Sequence, residues 1–201
     1  MRIQIFIDGA NFYHLALKPL GLKAVNFNFD EFALFLADGR DIVNLGKRFY
    51  IGSVREKEGD SKSKYAMSQQ VKLFNQLKQT VWQIKTSKLR EREERIIIDK
   101  RVANYKAIKK QGITEIKYKV FREKGIDVKI AIDLMAGALD DKYDAAIIVS
   151  SDTDLVPAID WIRFRCKKQM EYVGFSIPDI TKRTNGVRPT NALMNRTDVQ
   201  R

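Results

Sequence analysis

Two short apolar runs far apart in the chain limit its fold more than any other feature. Ile3–Ile7 and Ala145–Val149 are rich in β-branched residues and are followed at once by turn-forming polar residues. Runs of this length and composition are strands buried within a sheet, the pattern of a parallel sheet covered by helices. Each run stops on acids. Asp8-Gly9-Ala10-Asn11 follows the first, and Ser150-Ser151-Asp152-Thr153-Asp154 follows the second. Glycine and small polar residues there mark strand-to-helix turns, so carboxylates fall at the carboxyl ends of two strands.

Between and after these runs, strand and helix patterns alternate. Phe32, Leu34, Phe35 and Leu36 predict a helix over Asp30–Asp38, and the aromatic and β-branched stretch Arg48–Val54 predicts a strand. Lys62–Thr80 has apolar residues near helical spacing, and Val81–Ile84 is the next strand. Asp127–Leu139 is a nearly all-round apolar helix, Asp154–Arg165 an amphipathic one and Glu171–Phe175 a last short strand. From Ser176 the tail carries Pro178, Gly186 and Pro189 in polar surroundings and is expected to be irregular. At 201 residues the chain suits one core, so a single domain over 1–201 is expected, an open, mainly parallel α/β sheet flanked by helices. In such sheets the functional crevice lies beyond the strand carboxyl ends, near a topological switch point.

Lys85–Lys124 breaks the alternation. It holds fourteen Lys or Arg against six Asp or Glu, a net +8 of the chain's total of +12. Two β-rich pieces, Arg95–Asp99 and Glu115–Phe121, make it a basic excursion from the sheet, with a β-hairpin arm as one form it can take. An excess of positive charge suits a polyanion through phosphate contacts and counterion release; a basic surface that only aids solubility is the alternative. Within the excursion Lys100, Arg101, Lys106, Lys109 and Lys110 surround Tyr105, a set able to grip nucleic-acid phosphates while the ring stacks on a base, or else simply a solvated basic face. Lys124, just before the Asp127 helix, is placed to reach a bound phosphate. Cys166 is the lone cysteine, which rules out an intramolecular disulfide and a zinc-clasping pair and fits a reducing compartment. The first apolar run is too short for a leader core, and no span of about 18 apolar residues occurs, so a cytoplasmic protein is expected.

The acids carry the chemistry. Mg²⁺ and Mn²⁺ take oxygen ligands, commonly one or two carboxylates with waters and phosphate oxygens, and Asp8, Asp127, Asp152 and Asp154 supply such a set. Packed together without a cation they would repel one another, so the cluster makes sense mainly as a cage for positive charge. Singly, each has a structural reading as well: Asp8 as a turn former, Asp127 as a helix cap after Gly125, Asp152 and Asp154 as cap and first-turn acids. Asp133 lies six residues after Asp127, which sets the two about 120° apart around a helix axis. It either acts on the metal through water, pairs with Lys129, or holds a neighbour in place. Asn11 can orient water or contact phosphate through its amide, or serve a local turn. Ser151 is a further substrate contact, Ser150 and Thr153 being able to bond the same carboxylates.

The runs IDGANF, EKGIDVKIAIDLMAGAL and YDAAIIVSSDTDLVPAID resemble, in order and spacing, the motifs of NYN domains of the LabA-like group, within the PIN-like nuclease superfamily. The resemblance extends over most of Met1–Phe175, with no motif placed between about Arg55 and Val120. It implies a Rossmann-like (PIN-like) sheet and a nuclease centre in which acids hold Mg²⁺ or Mn²⁺. By motif, Asp8 and Asn11 match the first-strand signature, Asp127 and Asp133 the helix signature, and Asp152 and Asp154 the fourth-strand signature. Ser151 stands where many relatives have glycine.

Together these imply a metal-dependent ribonuclease in which a carboxylate-held cation activates water for in-line attack, leaving a 5′-phosphate. A metal-free route through the ribose 2′-hydroxyl needs a general acid and base, often two histidines, and His14 is the only one. Two readings compete: a catalytically silent RNA-binding or adaptor module, and a metal-dependent phosphatase, against which +12 weighs. DNA remains a possible second substrate, and nothing in the chain specifies a homodimer.

Overall fold

The structure, a computed structural model, describes residues 1–176 and 191–201. Its spine is a seven-stranded sheet in the order β4-β3-β2-β1-β5-β6-β7. The strands are β1 (Arg2–Asp8), β2 (Asp41–Ser53), β3 (Gln83–Ile97), β4 (Glu115–Glu123), β5 (Ala145–Val149), β6 (Gln169–Tyr172) and β7 (Val199–Gln200). All neighbours pair in parallel except β3 and β4. The chain winds outward from β1 to β2 and β3, then returns to place β5 on the other side of β1. The switch point therefore lies between β1 and β5, the two strands that the apolar runs foretold.

Alternation along these strands divides the core into two layers. Ile3, Ile5 and Ile7 of β1, with Ala145, Ile147 and Val149 of β5, face α1 (Gly9–Phe12), α2 (Phe29–Ala37) and α3 (Ser61–Gln79). Phe6, Ala146 and Ile148 face α5 (Ile126–Leu139) and α6 (Val156–Trp161). With helices on both faces, a side chain of either parity is buried, which is why these strands need no polar alternation. Helix α2 ends where Asp38 and Gly39 both take positive φ, and its Leu34 and Phe35 are exposed. Helix α5 differs from its expected all-round burial: Ile126, Ile130 and Leu134 pack on the sheet, whereas Val128, Ile132 and Leu139 form an exposed stripe.

The excursion is an arm. Asp8 aligns with Tyr50 on β2, and Tyr50 with Lys85 on β3, so β3 overshoots the level of Asp8 by the length from Lys85 to Ile97. That length is about 40 Å at ~3.3 Å per residue. Beyond Lys88, β3 pairs only with β4, antiparallel from Leu89–Glu123 to Ile97–Glu115. The two β-rich pieces expected from sequence are thus a hairpin whose first strand is continuous with the main-sheet strand at Gln83. The short helix α4 (Tyr105–Lys110) sits in the connection at its far end. The tail expected to be irregular from Ser176 contains a helical turn, α7 (Asn191–Met194), and strand β7, which pairs with β6; Pro178, Gly186 and Pro189 lie outside the described residues. Among the described residues no helix is long and apolar enough to cross a membrane.

Candidate metal centre

Asp8, the last residue of β1, caps α1: its Oδ1 accepts the Asn11 backbone N–H at 3.0 Å. Its Oδ2 accepts the Ser150 hydroxyl at 3.3 Å. The carboxylate is buried, and that desolvation, with the nearby Asp152 adding to it, leaves its pKa above the ordinary value despite the hydrogen bonds. Gly9 follows because nothing larger fits; a Cβ there would meet the Phe49 ring at 2.5 Å.

On the other side of the switch point, the Asn11 side-chain oxygen accepts both the backbone N–H and the hydroxyl of Ser151, each at 3.1 Å. Ser150 Oγ accepts the Asp152 N–H at 3.2 Å, and Asp152 in turn caps the turn that follows, accepting the Asp154 N–H at 2.9 Å. The exits of β1 and β5 are thereby laced together. Helix α5 delivers the third piece: Gly125, at φ 77°, makes the bend that only glycine takes cheaply, and Asp127 stands in the first turn.

These elements bring carboxylate oxygens of Asp127, Asp152 and Asp154 within 4.8 Å of one another. They line an open groove of about 620 Å³ together with Asp8, Asn11, His14, Leu15 and Ser151. All the grouped donors are carboxylates, the chemistry that suits a hard divalent cation such as Mg²⁺ or Mn²⁺. Asp8 lines the same groove but is not one of the grouped three; its oxygens accept from Asn11 and Ser150.

Asp133 is elsewhere. The rotation along α5 turns it to the sheet, where it accepts the Tyr50 hydroxyl at 2.7 Å and pairs with Arg48 at 3.4 Å and Lys85 at 3.8 Å. Of the three readings open in sequence this is the one in which it holds a neighbour in place; Lys129 donates to the Thr86 carbonyl. Arg48 also lies over the Phe6 ring, its guanidinium carbon 5.4 Å from the centroid. Asp133 therefore fastens α5 to β2 and β3. Arg48, Tyr50 and Lys85 had no sequence signal, because three separate elements meet there.

The basic candidates split. Lys124 is exposed at the base of the arm, two residues before Ile126, which lines the groove. Lys100, Arg101, Tyr105, Lys106, Lys109 and Lys110 cluster at the tip, remote from the acids. Arg101 is held there by Asp99, its Nη2 2.7 Å from Oδ2, which pulls the Asp99 pKa down to about 2. Further down the arm, Glu91 pairs with Lys57 and Lys119, so some of its positive charge is already balanced.

Comparison with known proteins agrees with this geometry. The family model of the NYN domain matches residues 2–187. A crystal structure of a protein of unknown function from Vibrio parahaemolyticus is similar in fold, with a TM-score of 0.52 and 18% identity, covering 99% of this chain and 90% of that one. No curated protein matches.

Proposed function

The chain belongs to the NYN domain family, a family of PIN-like nucleases, and from that premise we propose that it is a metal-dependent ribonuclease. The observation that carries the reading is the convergence of Asp127, Asp152 and Asp154 in an open groove at the β1/β5 switch point. These three would hold Mg²⁺ or Mn²⁺. Such a cation supplies charge to neutralise a phosphodiester and lowers the pKa of water near it.

The protein's own residues do the rest. Asp8 completes the set of four acids in the groove and, through its bonds to Asn11 and Ser150, fixes the spacing of the two strand exits. Asn11 and Ser151 hold each other, presenting polar groups along the wall where a phosphate would lie. Lys124 stands at the rim as a phosphate contact. The tip residues Lys100, Lys109 and Lys110, with Tyr105, would meet RNA remote from the bond being cut and raise affinity through their charge. No side chain here is needed as a nucleophile, and the lone His14 leaves no pair for a 2′-hydroxyl route.

The test is cleavage of 5′-labelled RNA by purified protein in Mn²⁺, Mg²⁺, Ca²⁺ and EDTA, with the product ends mapped. Mn²⁺ and Mg²⁺ should support cleavage leaving 5′-phosphates; Ca²⁺, larger and with more ligands, should allow binding with little turnover. Activity surviving EDTA, or ends carrying a 2′,3′-cyclic phosphate, would refute the reading.

A further inference from the structure

A second cavity, of about 450 Å³, lies on the other side of α1 from the acids. Helix α1 and the π-helical turn that continues it, Tyr13–Leu17, form the partition. Residues four apart share a helix face. Gly9, Tyr13 and Leu17 face the cavity, Asn11 and Leu15 face the acidic groove, and Ala10 and His14 line both. The two spaces are therefore neighbours across one helical ridge. Ala10, with only a methyl group, and His14 make up its crest.

The cavity's chemistry is unlike that of the groove. Its walls are apolar, from Leu17, Val25, Phe49, Ile51 and Leu73 among others. An open space with apolar walls and a volume in the range of small-ligand sites, about 300 to 1,000 Å³, suits a ligand. Tyr13 and Tyr65 border it and are 37% and 55% exposed, respectively. Lys23, whose Nζ lies 3.4 Å from the Tyr65 hydroxyl, brings a positive charge to the same border, and Gln69 brings an amide. A phosphate has no use for such walls. A flat aromatic ring does, and the border offers hydrogen-bonding groups for its edge and a cation for its backbone.

We propose that this cavity takes an unpaired nucleobase of the RNA strand whose phosphodiester lies in the acidic groove. The proposal rests on the ribonuclease reading for its substrate, and it deepens that reading to a single-stranded one. Within a duplex, a base must leave the stack to enter, at a cost of a few kcal/mol. Duplex RNA is accordingly a poor ligand.

The experiment measures binding without cleavage, in EDTA, by fluorescence anisotropy. The probes are a short single-stranded oligoribonucleotide, its duplex, and copies with one abasic nucleotide stepped along the strand. Ala66 lines the cavity from an exposed position on α3, so Ala66→Trp fills it with little threat to folding; Tyr65→Ala, also exposed, is the second variant. The wild type should bind the single strand best and lose about tenfold in affinity when the abasic step falls at one position, the worth of one stacked base. Ala66→Trp should show that loss with the intact strand and no additional loss with the abasic one, and Tyr65→Ala should fall between. Equal affinity of wild type and both variants for every probe overturns the proposal, as does an abasic penalty unchanged in Ala66→Trp. If the wild type cleaves RNA and these variants bind and cut as it does, the cavity proposal fails and the nuclease reading stands. If no metal supports cleavage while the abasic pattern appears, the cavity binds a base and the nuclease reading falls.

Discussion

Asp152 does two tasks with one carboxylate: an oxygen caps the turn into α6, and the group stands beside Asp127 and Asp154. Asparagine keeps a capping oxygen and loses the charge, so Asp152→Asn should fold and lose cleavage about 100-fold or more, on the order of 3 kcal/mol in transition-state stabilisation. Metal-free melting should be equal to the wild type or higher, because one repelling charge is gone; normal turnover in a folded variant would discount the carboxylate trio. Glu171 tests the structural side. Its side chain is fully buried in β6, where burial alone would raise its pKa, but hydrogen bonds from Arg40 and Arg201 outweigh that and hold it below its ordinary 4.5. A carboxylate with a depressed folded-state pKa contributes stability above its unfolded pKa and loses it as pH falls through the folded value. Wild-type stability should therefore fall below about pH 4.5. Glu171→Gln should cost on the order of 3 kcal/mol at neutral pH, by taking from Arg40 its carboxylate partner while Arg201 keeps Asp38, and should flatten the acid limb in urea titrations.

Elements differ in how much each is asked to do. Helix α5 brings Asp127 to the groove only if its axis is held, and the Tyr50–Asp133 bond with Arg48 and Lys85 is the holding contact on the sheet side. Tyr50→Phe should cost about 1 kcal/mol in stability. It should weaken Mn²⁺ binding measured by titration only modestly, because no ligand is removed; loss of binding as large as in Asp152→Asn would mean that Tyr50 acts on the centre directly. The arm is a different kind of element. A two-stranded ribbon has little stability alone, and β3 escapes that limit because its first part, Gln83–Lys88, is paired to β2 in the main sheet. Replacing Lys100, Arg101, Lys109 and Lys110 by Ala should weaken RNA binding and reduce the log–log salt slope by about 2, since roughly 0.7 is lost per single-strand phosphate contact and Arg101 is already paired with Asp99 in the wild type. Metal affinity should not change. A salt slope equal to the wild type's would move the RNA path away from the tip.

At the scale of the whole molecule, a chain of net charge +12, of which Lys85–Lys124 carries +8, should bind RNA with steep salt dependence in EDTA, before any metal enters. Binding that is flat in salt would separate the charge from the function. What the sequence determined by itself is the part carried by short-range pattern. The β-branched runs at Ile3 and Ala145 had to be strands, the residues after them had to turn, and acids written into those turns had to stand at strand ends, because each step depends on neighbours in the chain. Tertiary structure alone decided the rest. It turned Asp133 away from the acids and into a contact with Tyr50, since helical rotation reveals which face a residue occupies but not what that face meets. It exposed one stripe of an α5 that looked buried all round, since nothing in its own residues shows that no layer covers it. It joined Val199–Gln200 to the sheet through a short pairing too brief to leave a periodic signal. And it opened a cavity between Tyr13, Ile51 and Tyr65, from three elements whose spacing in sequence carries no trace of their meeting in space.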